Sequence, residues 1–406
     1  MTKGQSQAGG LDLQAELDGI LGLGRRAPGS DAERRTALYL QQRLEALGRS
    51  AEVEPLAIYA SWPLAYAILA TAAVAASVLA IYVPLAGAAL ALAAALLTFL
   101  DAGMLVPTVR RLFGRRASQN VISWDGSDKP GALVLVAHCD AGRAGLAHSD
   151  RSARRKAALS GLIHRPIGGL QPLFWAQVGV LACSLLRVVG LDGTAVSVVQ
   201  FVPTIALIVA VALLLDIALA GTRAGENDNA SGCVLALRLA ERYGGESLRN
   251  FDVHVLFTGA QKAGGAGMRA FLRRHRDRLR ADTTVFLNID EVGSGAVRYA
   301  RREGALLTLR SHPQLISLCD QIAEDDESAE PTVSRSASDA SAATAAGFPA
   351  LTVTCRERLD YASGRVDERT LEAAEGFCAE LIERLDAEVG PSIAAPVEAT
   401  ALSESE

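Results

Sequence analysis

The stretch Gly225-Glu226-Asn227-Asp228-Asn229-Ala230-Ser231-Gly232 sets one carboxylate between two asparagines immediately before a helical pattern. Upstream, His138-Cys139-Asp140 closes an apolar run at residues 132–137, and downstream Asn288-Ile289-Asp290 closes another at 284–289. Continuous apolar runs of this length are read as strands buried on both faces, and in such sheets reactive groups gather at the strands' carboxyl ends. His138, Asp228 and Asp290 are thus expected to meet. One neutral imidazole and two carboxylates suit Zn2+, with a coordination position left for water. Asp140, two residues after His138, is placed to orient its ring.

Outward from these motifs, the chain has two characters. At 406 residues, 50% hydrophobic and only 21% charged, it can form one large core and still leave an unusually apolar remainder. That remainder is concentrated. Residues 63–100 contain no Asp, Glu, Lys or Arg, and Pro84 divides them into halves near the roughly 20 residues that cross a bilayer as a helix. Residues 166–186 and 193–215 are also free of charge, with Arg187 and Asp192 between them. Four transmembrane helices in two hairpins are expected, at residues 61–107 and 166–220.

Residues 1–20 lack the basic, apolar, small-residue order of a signal peptide, so the helices are expected to be retained. Arg110, Arg111, Arg115, Arg116, Arg154, Arg155, Lys156, Arg165 and Arg223 flank the hairpins on their open side, and the turns carry almost no positive charge. By the positive-inside rule, both termini and the soluble part face the cytoplasm of a multi-pass membrane protein. The six cysteines form no close pair or metal-type spacing, which suits a reducing compartment. A net charge of −5 argues against a nucleic-acid partner, and the local basic clusters fit anionic headgroups of the lipid bilayer.

Outside the hairpins, helical and strand patterns alternate, which predicts a three-layer α/β/α sandwich with a mostly parallel mixed sheet. Its segments are 1–60, 108–165 and 221–389, with a disordered tail at 390–406. Strands are expected at 51–57, 119–124, 132–137, 251–257, 284–289 and 350–354, and helices at 31–47, 233–243, 267–278, 313–323 and 367–385. His254 reads as a core side chain, and Arg273 to Arg280 as a solvated helix face or headgroup contact. Asp101 and Arg187, at hairpin ends, read as markers of the membrane interface.

In order along the chain, Ala137-His138-Cys139-Asp140, residues 225–232 and 259–267, Asn288-Ile289-Asp290, and Ser338-Asp339 with Gly347-Phe348-Pro349-Ala350 resemble the M28 family of zinc aminopeptidases. Arg26-Ala27-Pro28-Gly29-Ser30 looks like that family's opening. The resemblance spans residues 13–385 apart from the hairpins. It implies two zinc ions bridged by Asp228, one of them also held by His138 and Asp290. The second would need the latter residue of a Glu-Glu pair and a C-terminal histidine, and the first glutamate of the pair would be the general base.

This chain departs from the pattern at those positions. Gln261 stands where the base belongs and Lys262 where the ligand belongs, and no histidine follows His312. The nearest C-terminal segment, Asp360-Tyr361-Ala362-Ser363-Gly364, offers no imidazole. A glutamine cannot accept a proton near neutral pH, and removing a positioned base typically forfeits roughly 100- to 10,000-fold in rate. The expectation is at most one zinc ion, or none, and a pseudopeptidase with a binding or membrane-organising role toward a peptide or protein ligand at the cleft. The alternative is a single-zinc hydrolase acting on peptides near the membrane, with base duty moved to Glu226 or Glu291. A transporter built on the four helices is disfavoured because the spans lack internal charge and broken-helix signals.

Overall fold

The computed structural model describes residues 11–103, 106–124, 126, 128–162, 168–245, 247–326, 329–355, 365–390 and 393. Helix α1 (Leu13–Gly22) starts at Asp12, whose carboxylate accepts from the amides of Gln14 and Ala15, and α2 (Asp31–Ala46) starts at Ser30, whose hydroxyl accepts from Glu33 N. Strand β1 (Glu52–Ile58) leads into α3 (Trp62–Tyr82) and α4 (Pro84–Ala102). The chain returns through β2 (Arg116–Ser123), β3 (Gly131–His138) and α5 (Asp150–Leu162) to a second apolar pair, α6 (Gln171–Val188) and α7 (Thr194–Leu219). Then follow α8 (Ser231–Arg242), β4 (Phe251–Thr258), α9 (Ala266–Arg274), β5 (Thr284–Ile289), β6 (Arg298–Glu303), β7 (Leu309–Arg310), α10 (Pro313–Asp326), β8 (Glu330–Ser334), α11 (Asp339–Ala345), β9 (Ala350–Thr354) and α12 (Glu368–Arg384).

The described strands form one mixed sheet in the order β1-β2-β4-β3-β5-β9-β6-β7, with β8 beside β6. Its centre, β4-β3-β5-β9, is parallel, while β1, β2 and β6 join antiparallel. Along β3, Leu133, Leu135 and Ala137 pack into the core beneath α1, α2, α8, α10 and α12, and Val134 and Val136 into the core beneath α9 and α11. This two-residue alternation, buried on both sides, gives the three layers and explains the unbroken apolar runs.

The apolar helices assemble into a separate bundle. α3 packs on α4 and α7, and α4 and α7 both pack on α6. Its interior is lined by small residues such as Ala70, Ala73, Ala76, Ala91 and Ala94 together with Leu173, Val180 and Leu207. A Cβ on Gly87 would lie 2.5 Å from the Ala80 backbone, so α3 and α4 touch where only glycine fits. The outer surface carries exposed Ile68, Leu85, Leu92, Phe201, Val202 and Val209.

Among the described residues, three helices are long and apolar enough to cross a membrane, namely Trp62–Tyr82, Pro84–Ala102 and Thr194–Leu219. The fourth expected span, Gln171–Val188, is not among these three. It is shorter, carries Arg187 and buries Gln177.

Asp101 and Arg187, near the ends of α4 and α6, are buried and engaged by partners. Asp101 accepts from Tyr66 Oη (2.7 Å), Thr108 N (3.0 Å) and Arg110 Nε (2.7 Å), and Arg187 reaches Gln200, Ser197 and Asp192. The helix expected at 267–278 ends at Arg274, so the arginine run does not share one helix face. Arg278 instead stacks over the Trp124 ring at 3.9 Å, and Arg280 pairs with Asp282. His254 lies buried against the same tryptophan, as expected for a core residue. The segment 360–364 and all but two residues of the 390–406 tail lie outside the described residues.

Candidate metal centre

His138 is the last residue of β3, and Asp290 follows the last residue of β5. These strands are parallel neighbours, so their carboxyl ends bring the two side chains together. Asp228 arrives on an irregular turn, residues 226–230, whose peptide bond to Asn229 is cis. The asparagines on either side are its fastenings. Asn229 donates to Ile289 O (2.9 Å) and accepts from Glu291 N (3.0 Å), while Asn227 Oδ1 accepts from Gly293 N (2.7 Å). The Asn-Asp-Asn pattern thus ties the turn to the end of β5 and leaves the middle carboxylate for the cleft. Gly225 has φ of 73° and leaves no room for a Cβ, which would sit 2.6 Å from Ala141 Cβ.

His138 Nε2 lies 3.3 Å from Asp228 Oδ1 and 3.2 Å from Asp290 Oδ1, and one ligand atom from each of the three residues falls within 4.8 Å of the others. On the far side of the ring, Nδ1 donates to Asp140 O (2.9 Å) and lies 3.2 Å from Asp140 Oδ1. These contacts from Asp140 hold the imidazole's orientation. Asp140 also holds the replaced loop, because its carboxylate accepts from the backbone amides of Gln261 (3.0 Å) and Lys262 (2.8 Å).

Lys262 turns into the cleft, and its Nζ sits 2.7 Å from Asp228 Oδ1, the oxygen that faces His138. Burial alone would push Asp228 up and Lys262 down, but their attraction outweighs it. Asp228 is held well below the usual carboxylate range and Lys262 above the usual amine range. Asp290 is lowered against its own burial by Lys262 and His138. His138 is raised against burial and the Lys262 charge by Asp140, Asp228 and Asp290.

Gln261 turns away from this cluster. Its Nε2 donates to Ala337 O (2.8 Å), and its Oε1 is buried without a hydrogen-bond partner. Of the two proposed substitute bases, Glu226 accepts from Val366 N (2.8 Å) and is committed there. Glu291, with φ of 56°, contributes to the field that raises Lys262.

Three further buried groups shape the centre. Arg26 donates to Cys139 O (3.0 Å), Ala224 O (3.1 Å) and Gly225 O (2.6 Å), cross-linking the His138 and Asp228 segments. Glu33 accepts from Gly29 N (2.7 Å), Ala260 N (2.8 Å) and Ser118 Oγ (3.1 Å), and burial with the Asp140 charge pushes it up to about 8. Glu303, at the end of β6, accepts from Thr352 Oγ1 (3.0 Å) and is pushed up to about 7 by burial. Arg26 lay inside a recognised motif without a role. Glu33 and Glu303 carried no sequence signal, since each is a charged residue at a position that only the packed fold buries.

With this geometry established, the family model described as Peptidase family M28 matches residues 211–374. The match identifies an M28 peptidase domain in residues 211–374. No curated protein matches the sequence. Among solved structures, this chain is similar in fold to a glutaminyl cyclase from Tannerella forsythia, at 12% identity and TM-score 0.51, covering 91% of this chain and 97% of that one. It is likewise similar to a glutaminyl cyclase from an Acidobacteriales bacterium (11%, TM-score 0.50, 95% and 99%). A leucine aminopeptidase precursor from Bacteroides thetaiotaomicron VPI-5482 is a third (12%, TM-score 0.50, 92% and 97%).

His138, Asp228 and Asp290 fit one zinc ion by spacing alone. In a tetrahedral site with bonds near 2.0–2.1 Å, neighbouring donors lie about 3.3 Å apart, close to the 3.2 and 3.3 Å separations from His138 Nε2. They do not fit two ions, because Lys262 sets an ammonium, which has no lone pair to offer a metal, 2.7 Å from Asp228 Oδ1.

Proposed function

We propose that this M28 protein is a multi-pass membrane pseudopeptidase, with its peptidase-like domain and both termini in the cytoplasm, that binds a peptide or protein segment at the cleft without hydrolysing it. The observation that carries the reading is the 2.7 Å ion pair between Lys262 and Asp228. The ammonium supplies at Asp228 the positive charge that a metal would otherwise supply, so the cluster holds together without an ion. Gln261 is held by Ala337 O and cannot take a proton from water.

The membrane part of the reading is supported by the apolar outer surface of the α3, α4 and α7 bundle, whose helices each reach or approach the length of a bilayer crossing. We place α6 as the fourth span, making two hairpins. It completes the bundle by packing on α3, α4 and α7, and its Arg187 is paired within the bundle.

A second reading, a single-zinc hydrolase, is favoured by the spacing around His138 Nε2. A bound zinc would polarise a carbonyl or acidify a water. His138, Asp228 and Asp290 would hold it, Asp140 would keep Nε2 toward it, and Glu291 would be the remaining carboxylate for base duty.

Metal content by mass spectrometry on detergent-purified protein, wild type beside Asp228→Ala, tests the two readings. Absence of zinc in both supports the pseudopeptidase. One zinc per chain that is lost in the variant, together with release of amino acids from peptides, would overturn it.

A further inference from the structure

A cavity of about 440 Å3 is walled by β1, the 107–115 segment and α9, with Ala263 of the Gln261–Ala263 loop in its lining. Its size is within the roughly 300–1,000 Å3 range of small-ligand sites. Arg110, Arg111, Arg115, Arg269 and Arg273 line it, and none of its lining residues is acidic. In a chain of net charge −5, five arginines around one hollow with no acidic residue in its lining mark an anion site rather than a general surface property.

The arginines come from two elements that meet there. On α9, Ala266, Arg269, Ala270 and Arg273 share one face by helical spacing, the alanines leaving the space that the guanidinium groups border. The others follow α4 directly. Arg110 is anchored by Asp101 and by Ala263 O (2.9 Å), whereas Arg111, Arg115 and Arg273 are exposed and stand as the available charges. Arg269 is half-buried and pushed down to about 10 by burial and by the charges of Arg110 and Arg273, partly offset by Asp101.

Position selects the source of that charge. The cavity wall includes Tyr59, three residues before α3 begins, and Pro107, five residues after α4 ends, so the hollow opens where the first hairpin leaves the soluble domain. Leu56, Ile58 and Tyr59 give it an apolar side beside the arginines. We propose that this cavity binds the phosphate-bearing headgroup of an anionic phospholipid, with Arg111, Arg115, Arg269 and Arg273 as its ligands. The inference rests on the membrane part of the proposed function and is independent of whether the M28 centre binds metal.

The test uses the whole protein in detergent, with native mass spectrometry of lipid retained from equimolar phosphatidylglycerol and phosphatidylcholine, and a parallel titration with inorganic phosphate. Wild type is expected to retain phosphatidylglycerol selectively. The exposed-residue variant Arg111→Ala/Arg115→Ala/Arg273→Ala should weaken that retention about a hundredfold, since each basic residue near a membrane surface contributes appreciably.

Arg269→Met, which keeps the stem's packing, should weaken it in the same direction. Equal retention by wild type and triple variant, or no preference between the two lipids, would overturn the proposal. So would binding of inorganic phosphate without lipid preference. Alkaline extraction of native membranes separately reports whether the chain is integral, so failure of the membrane reading is distinguishable from failure of the headgroup site.

Discussion

Lys262→Met keeps the length and packing of the side chain while removing its charge, and it should turn a metal-indifferent centre into a zinc site. The ammonium lies 2.7 Å from Asp228 Oδ1. An ion bound to that same oxygen would sit roughly 4 Å from the ammonium, and at an effective permittivity near 20 a divalent ion and a unit charge at that distance repel by about 8 kcal/mol. Part of this gain is lost, because without Lys262 the paired carboxylates take up protons that zinc must then displace. A net gain of about 3 kcal/mol, or roughly a hundredfold in affinity, is the conservative expectation.

Competition against a fluorescent zinc chelator, run on detergent-purified wild type, Lys262→Met and Lys262→Met/Asp228→Ala, measures it. Tight, stoichiometric zinc on the single variant and none on the double variant is the expected pattern. Wild type binding zinc as tightly as Lys262→Met would refute the reasoning, because the ammonium would then not compete with the ion.

Three further outcomes follow from other parts of the fold. Asp101→Ala leaves Arg110 buried without its carboxylate and should destabilise the protein by about 3–5 kcal/mol, with Asp101→Ala/Arg110→Ala recovering part of the loss in thermal unfolding. Gly87→Val drives a Cβ into the Ala80 backbone 2.5 Å away and should separate α3 from α4, read as a lower thermal midpoint and broadened size-exclusion profile in detergent. Glu303 titrates near 7 when folded and near 4.5 when unfolded, so the native state holds a proton across that window that the unfolded chain has released. Stability should therefore fall as pH rises from about 4.5 to about 7, by on the order of 3 kcal/mol, and a denaturation series in Glu303→Gln should show a flatter slope.

The central strands were legible because β3, β4 and β5 are covered on both faces and so are dominated by apolar residues, with Asp252 and His254 breaking the pattern in β4 and Asn288 in β5. β6 was not, since its sequence Arg-Tyr-Ala-Arg-Arg-Glu shows neither an apolar run nor strict alternation, and its place beside β9 is fixed by pairing that no local pattern encodes. α11 escaped for another reason. Seven residues rich in alanine and serine have no amphipathic period, and only the Ser338–Ser341 capping box marks the start. α9 was read too long because basic residues continue past Arg274 at positions where the backbone has already left the helix.

At the candidate site, strand-end positions marked His138, Asp140 and Asp290, and Asp228 was marked by its asparagine-flanked place before α8, while the Lys262 contact follows from the substituted loop. Arg26, Glu33 and Glu303 were hidden because their importance comes from burial by segments far apart in sequence.

The hydrogen bond from Arg110 to Ala263 O gives the first hairpin a hold on the loop that carries Gln261 and Lys262. Asp101, at the end of α4, grips that arginine from behind. A helix end, one guanidinium and the carbonyl next to Lys262 form a short rigid strut from the apolar bundle into the cleft. A truncated chain lacking the apolar bundle would lose that strut, and measurements on it would describe a looser cleft than the one the intact protein presents.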